Sequence, residues 1–181
     1  MAIWQFRLVF IPETVLLGRY GSVPVSIPQE LAENLNWWAD VQPSAAFEAQ
    51  IDVILPKASS WSESMGIWGD ERGDTAWVCY NDSSRKVEEI GFRVDVRELS
   101  PAFVERICGL ARDLKCMLLT GSYHLIAPED QAVLTAINHS TAMSYLNDPV
   151  STLRSLKPTK GEIVQFPDKT KENDIPPKDS K

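Results

Sequence analysis

Two stretches of the chain alternate apolar and polar residues so strictly that they fix most of what it can fold into. In "IWQFRLVFIP", Trp4, Phe6, Leu8 and Phe10 fall on one side, with Gln5 and Arg7 on the other. In "VEEIGFRVDVREL", Ile90, Phe92, Val94 and Val96 alternate with Arg93, Asp95 and Arg97. Successive side chains of a strand point to opposite faces, so each stretch predicts a strand with one covered and one solvated face. Parallel sheets are buried on both sides and read as unbroken apolar runs; clean alternation therefore predicts an antiparallel sheet. Arg93, Asp95 and Arg97 are expected to pair across strands on the solvated face.

Further segments fill in the frame. "AFEAQIDVILP" alternates through Phe47, Ala49, Ile51, Val53 and Leu55 and predicts another strand. "TAWVCYND" is rich in β-formers, "NDSSRK" has turn chemistry, and "CMLLTGSYHLIA" reads as one more strand. "YGSVPVSIP", interrupted by Gly21 and Pro24, supports only a short or edge strand. Helices are predicted in "SIPQELAENLNWW", where Leu31, Leu35 and Trp38 share a face, and in "SPAFVERICGLARDLKC". The second has Ser100 as N-cap, Pro101 in the first turn, and a stripe of Phe103, Val104, Ile107, Leu110, Ala111 and Leu114. "PEDQAVLTAINHSTAMSYL" and "DPVSTLRSL", the latter capped by Asp148, complete the set. This order predicts an α+β fold: a mostly antiparallel sheet of about five or six strands with helices packed on one face. One domain is expected over residues 1–157. Residues 158–181 read as a polar, mobile tail in which "EIVQF" could dock as a short strand.

Charge narrows the function classes. The net charge is -7, and the tail holds five Lys and five acids, so the whole imbalance lies in residues 1–157. Between Asp40 and Glu89 ten carboxylates face only Lys57, Arg72, Arg85 and Lys86. Such a field repels phosphate backbones and attracts basic partners, which disfavours nucleic-acid binding. The three cysteines lack CxxC spacing and suggest reduced thiols rather than a disulfide framework. "MAIWQFRLVFIPE" has no basic leader region and no prompt cleavage site, and no apolar run reaches membrane-spanning length. A soluble cytoplasmic protein, with no membrane partner, is expected.

No diagnostic catalytic motif emerges. In "TGSYH" a strand would set Ser122 and His124 on one face, but GxSxG is absent and a sheet-face hydrogen bond is the simpler account. Cys79 and Cys108 sit among apolar neighbours and read as core thiols, and Cys116 beside Lys115 has no supporting motif. Cys108, Cys116, His124 and His139 lack the short paired spacings of a zinc site, and His139 reads as a mid-helix packing or surface residue. No catalytic residue, metal or cofactor is assigned.

"SSWSESMGIWGDERGDT", residues 59 to 75, has neither helix nor strand period and is expected to form a long loop. Its two tryptophans, three glycines and four carboxylates admit three readings. As a calcium loop it lacks the EF-hand frame and places Arg72 in the middle. As a glycosidase site it has carboxylates near Trp platforms but a poor scaffold to hold them apart. As a recognition surface it offers Trp61 and Trp68 as anchors, with Glu63, Asp70, Glu71 and Asp74 supplying charge. These six are the partner-binding candidates; the competing placement turns both indoles inward as a lid on the sheet.

The runs "WQF" to "FIP", "IDVILPKASSWSESMGIWG" and "RVDVREL", followed by a helix and "CMLLT", resemble small bacterial immunity proteins of polymorphic and contact-dependent, type VI-type toxin systems. The resemblance spans roughly residues 1 to 127. It implies a cytoplasmic α+β protein, not an enzyme, that binds a cognate effector toxin and blocks its active site. The acidity is what an inhibitor of a basic nuclease would need. The alternative is a small hydrolase or carbohydrate-active domain using the loop carboxylates, or Ser122 with His124; a third is an adaptor subunit of a larger assembly.

Overall fold

The computed structural model describes residues 2–155, so the tail and the "EIVQF" segment lie outside the described residues. The alternating stretches form the centre of an antiparallel sheet. β1 (Gln5–Pro12) pairs on one side with β5 (Val87–Asp95) and on the other with β6 (Cys116–Thr120). β4 (Thr75–Tyr80), β3 (Met65–Gly69) and β2 (Lys57–Ala58) extend the β5 side, and β7 (Leu125–Ile126) closes the other. The order is β2-β3-β4-β5-β1-β6-β7, seven strands rather than five or six, within the expected α+β class.

Register divides the sheet into two faces. Leu8 lies opposite Phe92, and Ala76 opposite the same Phe92, so the even-numbered residues of β1, β4 and β5 share one face. On it the Phe10 and Phe92 rings stack with centroids 5.4 Å apart, and Phe103 of α4 (Pro101–Asp113) meets Phe92 at 6.3 Å. α4 is held as expected: the Ser100 hydroxyl accepts the Phe103 N–H, and its stripe from Phe103 to Ala111 is buried. Replacing Ser100 by alanine leaves that N–H without its cap and is expected to lower unfolding free energy by about 1 kcal/mol in a urea titration. α3 (Phe47–Ile54) and α5 (Asp130–Asn138) flank α4.

The odd-numbered face is closed only in part. Val9, Ile11 and Leu119 are buried, so the β1–β6 side is covered on both faces. The β2–β3–β4–β5 side remains open, and there the functional interest lies. α1 (Glu13–Tyr20) and α2 (Gln29–Asn34) follow β1; the Tyr123 hydroxyl donates to Glu33 and ties α2 to the β6–β7 turn. α6 (Thr141–Asn147) and α7 (Pro149–Ser155) end the described chain, with Asp148 accepting the Ser151 N–H at 3.0 Å as its cap.

Four local expectations are corrected. Residues 47–54 form α3, not a strand: Phe47 and Ile51, four apart, are buried, while Val53 is 77% exposed. Apolar residues at 47, 51, 54 and 55 satisfy a helical stripe as well as an alternation, and a segment this short does not distinguish them. The α2 helix stops at Asn34, and Trp37 and Trp38 are buried beyond it, Trp38 Nε1–H donating to the Phe10 carbonyl at 3.2 Å. "CMLLTGSYHLIA" is a hairpin, with Tyr123 at φ 63° in its turn. His139 ends α5 rather than lying mid-helix, and Ser140 caps α6 through the Met143 N–H.

Candidate functional site

The open face carries a cleft of about 540 Å³. Its floor comes from odd-numbered positions of four adjacent strands: Met65 and Ile67 of β3, Thr75, Trp77 and Cys79 of β4, Glu89 and Arg93 of β5, and Arg7 of β1. Ser59, Trp61 and Glu71 form its rim.

Trp77 organises the floor. Its indole lies over Gly91, its cross-strand partner, where a Cβ would stand 2.6 Å from ring atoms. Its Nε1–H donates to Glu89 Oε1 at 2.6 Å, and Arg7 Nη2 donates to both Glu89 oxygens at 3.1 and 3.2 Å. The guanidinium carbons of Arg7 and Arg93 lie 5.4 and 4.9 Å from the ring centroid, within cation–π range. Arg93, expected to find an ion-pair partner across the sheet, has none among the described residues; Asp95 pairs instead with Arg97 of its own segment. Asp95, buried, is held below the usual carboxylate range chiefly by its hydrogen bonds from Arg97.

The 59–75 segment is not one loop. Met65–Gly69 is β3, leaving one turn on either side of it. The first presents Trp61, 82% exposed, between serines whose hydroxyls bond locally: Ser60 Oγ–H donates to the Ser62 carbonyl at 2.8 Å, and the Ser62 and Ser64 hydroxyls meet at 2.9 Å. Arg85 Nη1–H donates to the Glu63 carbonyl at 2.6 Å and pins the same turn. In the second, Gly69 takes φ 82° and the Asp70 N–H donates to the Asp74 carbonyl. Gln5 Nε2 donates to the Glu71 and Gly73 carbonyls, both at 3.0 Å, so β1 clamps that turn from beneath.

The six partner-binding candidates thus separate. Trp61 and Glu71 border the cleft, and Glu63 and Asp70 are exposed beside it. Trp68 is removed from the surface: it is fully buried on the even face, and its Nε1–H donates to Asp52 Oδ1 at 2.6 Å. The reason is register, since β3 alternates and Trp68 falls opposite Ala76 on the covered side, while Gly66 leaves room for its ring. Asp74 is half-buried and accepts the Asp95 N–H at 2.8 Å; desolvation raises its carboxyl above the ordinary value. Its first duty is to hold the turn.

The catalytic alternatives find little geometry. Ser122 Oγ stands 3.3 Å from His124 Nδ1 in the β6–β7 turn, beside a second cavity of about 630 Å³ that His139 also lines. No carboxylate lines that cavity among the described residues, so the orienting third member of a triad is missing there. His139 Nδ1–H donates to the Thr135 carbonyl at 2.8 Å. Cys79 is half-buried on the cleft floor rather than in the core, and burial with the Glu89 and Glu88 charges pushes its thiol up to about 11. Burial pushes Cys108 and Cys116 up to about 12, so all three stay protonated near neutrality. Among the described residues no three His, Cys, Asp or Glu side chains gather to hold a metal ion, and no helix is long and apolar enough to cross a membrane.

Arg7, Trp77, Glu89 and Arg93 were not site candidates from sequence. The signal lay in the alternation, which set Arg7 and Arg93 on the wet face without revealing that they stand directly opposite one another. Comparisons with protein-family models, with curated proteins and with solved structures find no match for this chain.

Proposed function

We propose that this chain is a non-enzymatic bacterial immunity protein that binds a cognate effector toxin and blocks it, docking through the open sheet face and its acidic rim. The observation that carries the reading is Trp61, 82% exposed on an ordered turn at the edge of the cleft. Tryptophan is the residue most enriched at interface hot spots, and its large rigid ring has only two side-chain torsions to fix on binding. Glu63, Asp70 and Glu71 beside it suit a basic partner surface, such as the substrate face of a nuclease. The resemblance over residues 1 to 127 supports the immunity role in particular. A cytoplasmic site of action is part of the same proposal, since that is where a nuclease meets its substrate.

Cells producing a candidate toxin are expected to survive when this chain is co-produced, and the purified pair to bind in calorimetry at low salt. Trp61→Ala should weaken the complex by about 2 kcal/mol or more, roughly 30-fold, without moving the melting temperature. Undiminished killing together with no binding heat at low salt rejects the proposal.

One observation favours a second reading, a carbohydrate-active domain: Glu71 and Glu89 share the cleft with Trp61 and Trp77. Against it, both Glu89 oxygens are already engaged by Arg7, and Oε1 by Trp77 as well. Turnover of aryl glycosides that disappears in Glu71→Gln would reverse the preference.

A further inference from the structure

The cleft floor holds two guanidiniums and one carboxylate. Arg7 and Arg93 face each other directly across β1 and β5, an arrangement in which like charges repel. Glu89 answers one of them, since both its oxygens receive Arg7. Arg93 has no equivalent. Its Nε is buried and donates no hydrogen bond, and among the described residues no carboxylate reaches ion-pair distance. The Trp77 face at 4.9 Å attracts the charge but offers no lone pair, so the guanidinium is held in position by the ring while its buried Nε has no acceptor and no carboxylate meets its half-exposed charge.

We infer that Arg93 is the recognition residue of the cleft and that its ligand is a carboxylate carried on an apolar stem. The inference rests on reading the cleft as the docking site: the carboxylate belongs to an Asp or Glu side chain, or to the chain end, of the protein partner. Its two oxygens match the planar fork of a guanidinium, and its stem lies along Trp77 and Ile67. Charge selects a carboxylate over a phosphate. On the cleft floor one negative charge balances Arg7, Arg93 and Glu89, whereas the second charge of a phosphate has no cation to meet it; the exposed Glu71 rim and the net charge of -7 oppose any anion, and the dianion more strongly. The partner this cleft fits is a basic surface from which one acidic anchor projects.

The test uses the full chain and small probes. Arginine Nε–H resonances of the 15N-labelled protein are followed during titration with 3-phenylpropionate, with 3-phenylpropanol as the neutral control and inorganic phosphate as the second anion. The Arg93 resonance should shift saturably with the carboxylate, stay still with the alcohol and respond more weakly to phosphate. Arg93→Gln should lose at least about tenfold in affinity for 3-phenylpropionate, while Glu89→Gln, which removes the competing anion, should tighten it. A blocked peptide with one internal Glu, against an acid-free peptide with a free C-terminus, separates side-chain from terminal capture. No Arg93 shift with 3-phenylpropionate, or an equal shift with the alcohol or with phosphate, overturns the inference, and the wild-type titration decides this without any variant. Should a toxin bind with affinity unchanged by Arg93→Gln, this inference falls and the immunity reading stands; should the carboxylate bind while no toxin does, the reverse holds.

Discussion

Alanine at Gly91 is expected to destabilise the fold by on the order of 1–3 kcal/mol and to dismantle the cleft floor at the same time. The new Cβ would meet Trp77 Cε2 and Cη2 at 2.6 Å and Cζ2 closer still. A flexible side chain would swing away, but this ring is fixed. Its Nε1–H is bonded to Glu89, and Arg7 and Arg93 lie over it. Relief therefore requires lifting the indole, which breaks the Glu89 bond and loosens both guanidinium contacts. Urea unfolding of Gly91→Ala, Trp77→Val and the double variant tests the cause. Alanine at 91 should be much less costly once the ring is gone, giving a coupling of about 1 kcal/mol or more between the two sites. Additive effects would mean that the clash with Trp77 is not what excludes a side chain at Gly91.

The same ring shows where sequence reasoning stops. Alternation in β1 and β5 located the covered face because burial demands a period of two, and Ser100 with Pro101 marked α4 because a helix start needs a cap. Neither signal reports which residues stand side by side on adjacent strands. The Arg7–Arg93 apposition, and Gly91 beneath Trp77, depend on register between segments more than eighty and ten residues apart respectively. β3 was illegible for a different reason. In "MGIWG" two of the five residues are glycines, which depress strand propensity, yet Gly66 is there to admit the ring of Trp68. α3 was misread because its apolar spacing satisfies two periods at once, and the choice is made by packing beside α4.

Trp68→Ala is expected to cost roughly 3–5 kcal/mol, the largest single stability loss in this set, whereas Trp61→Ala, seven residues earlier, should stay within about 0.5 kcal/mol of the parent. The contrast follows from placement: strand parity turns Trp68 to the covered face, whereas Trp61 sits on the turn before β3. Trp68 is completely buried opposite Ala76, donates to Asp52 at 2.6 Å and lies under the Lys57 ammonium, 5.1 Å from the ring centroid. Removing it leaves a cavity against rigid backbone and loses the bond to Asp52, whose exposed carboxylate then turns to water. Trp68→Phe retains most of the packing and loses the hydrogen bond, so it should fall between the two, near 1 kcal/mol for that bond. Trp61 is 82% exposed and gives no indole hydrogen bond among the described residues, so its truncation exposes nothing new. Measured together by urea unfolding and by partner binding, the two variants should divide cleanly: Trp68→Ala changes stability, Trp61→Ala changes affinity in a fully folded chain. A Trp61→Ala protein that melts several degrees lower would place that indole in the fold after all, and would remove the anchor on which the docking surface depends.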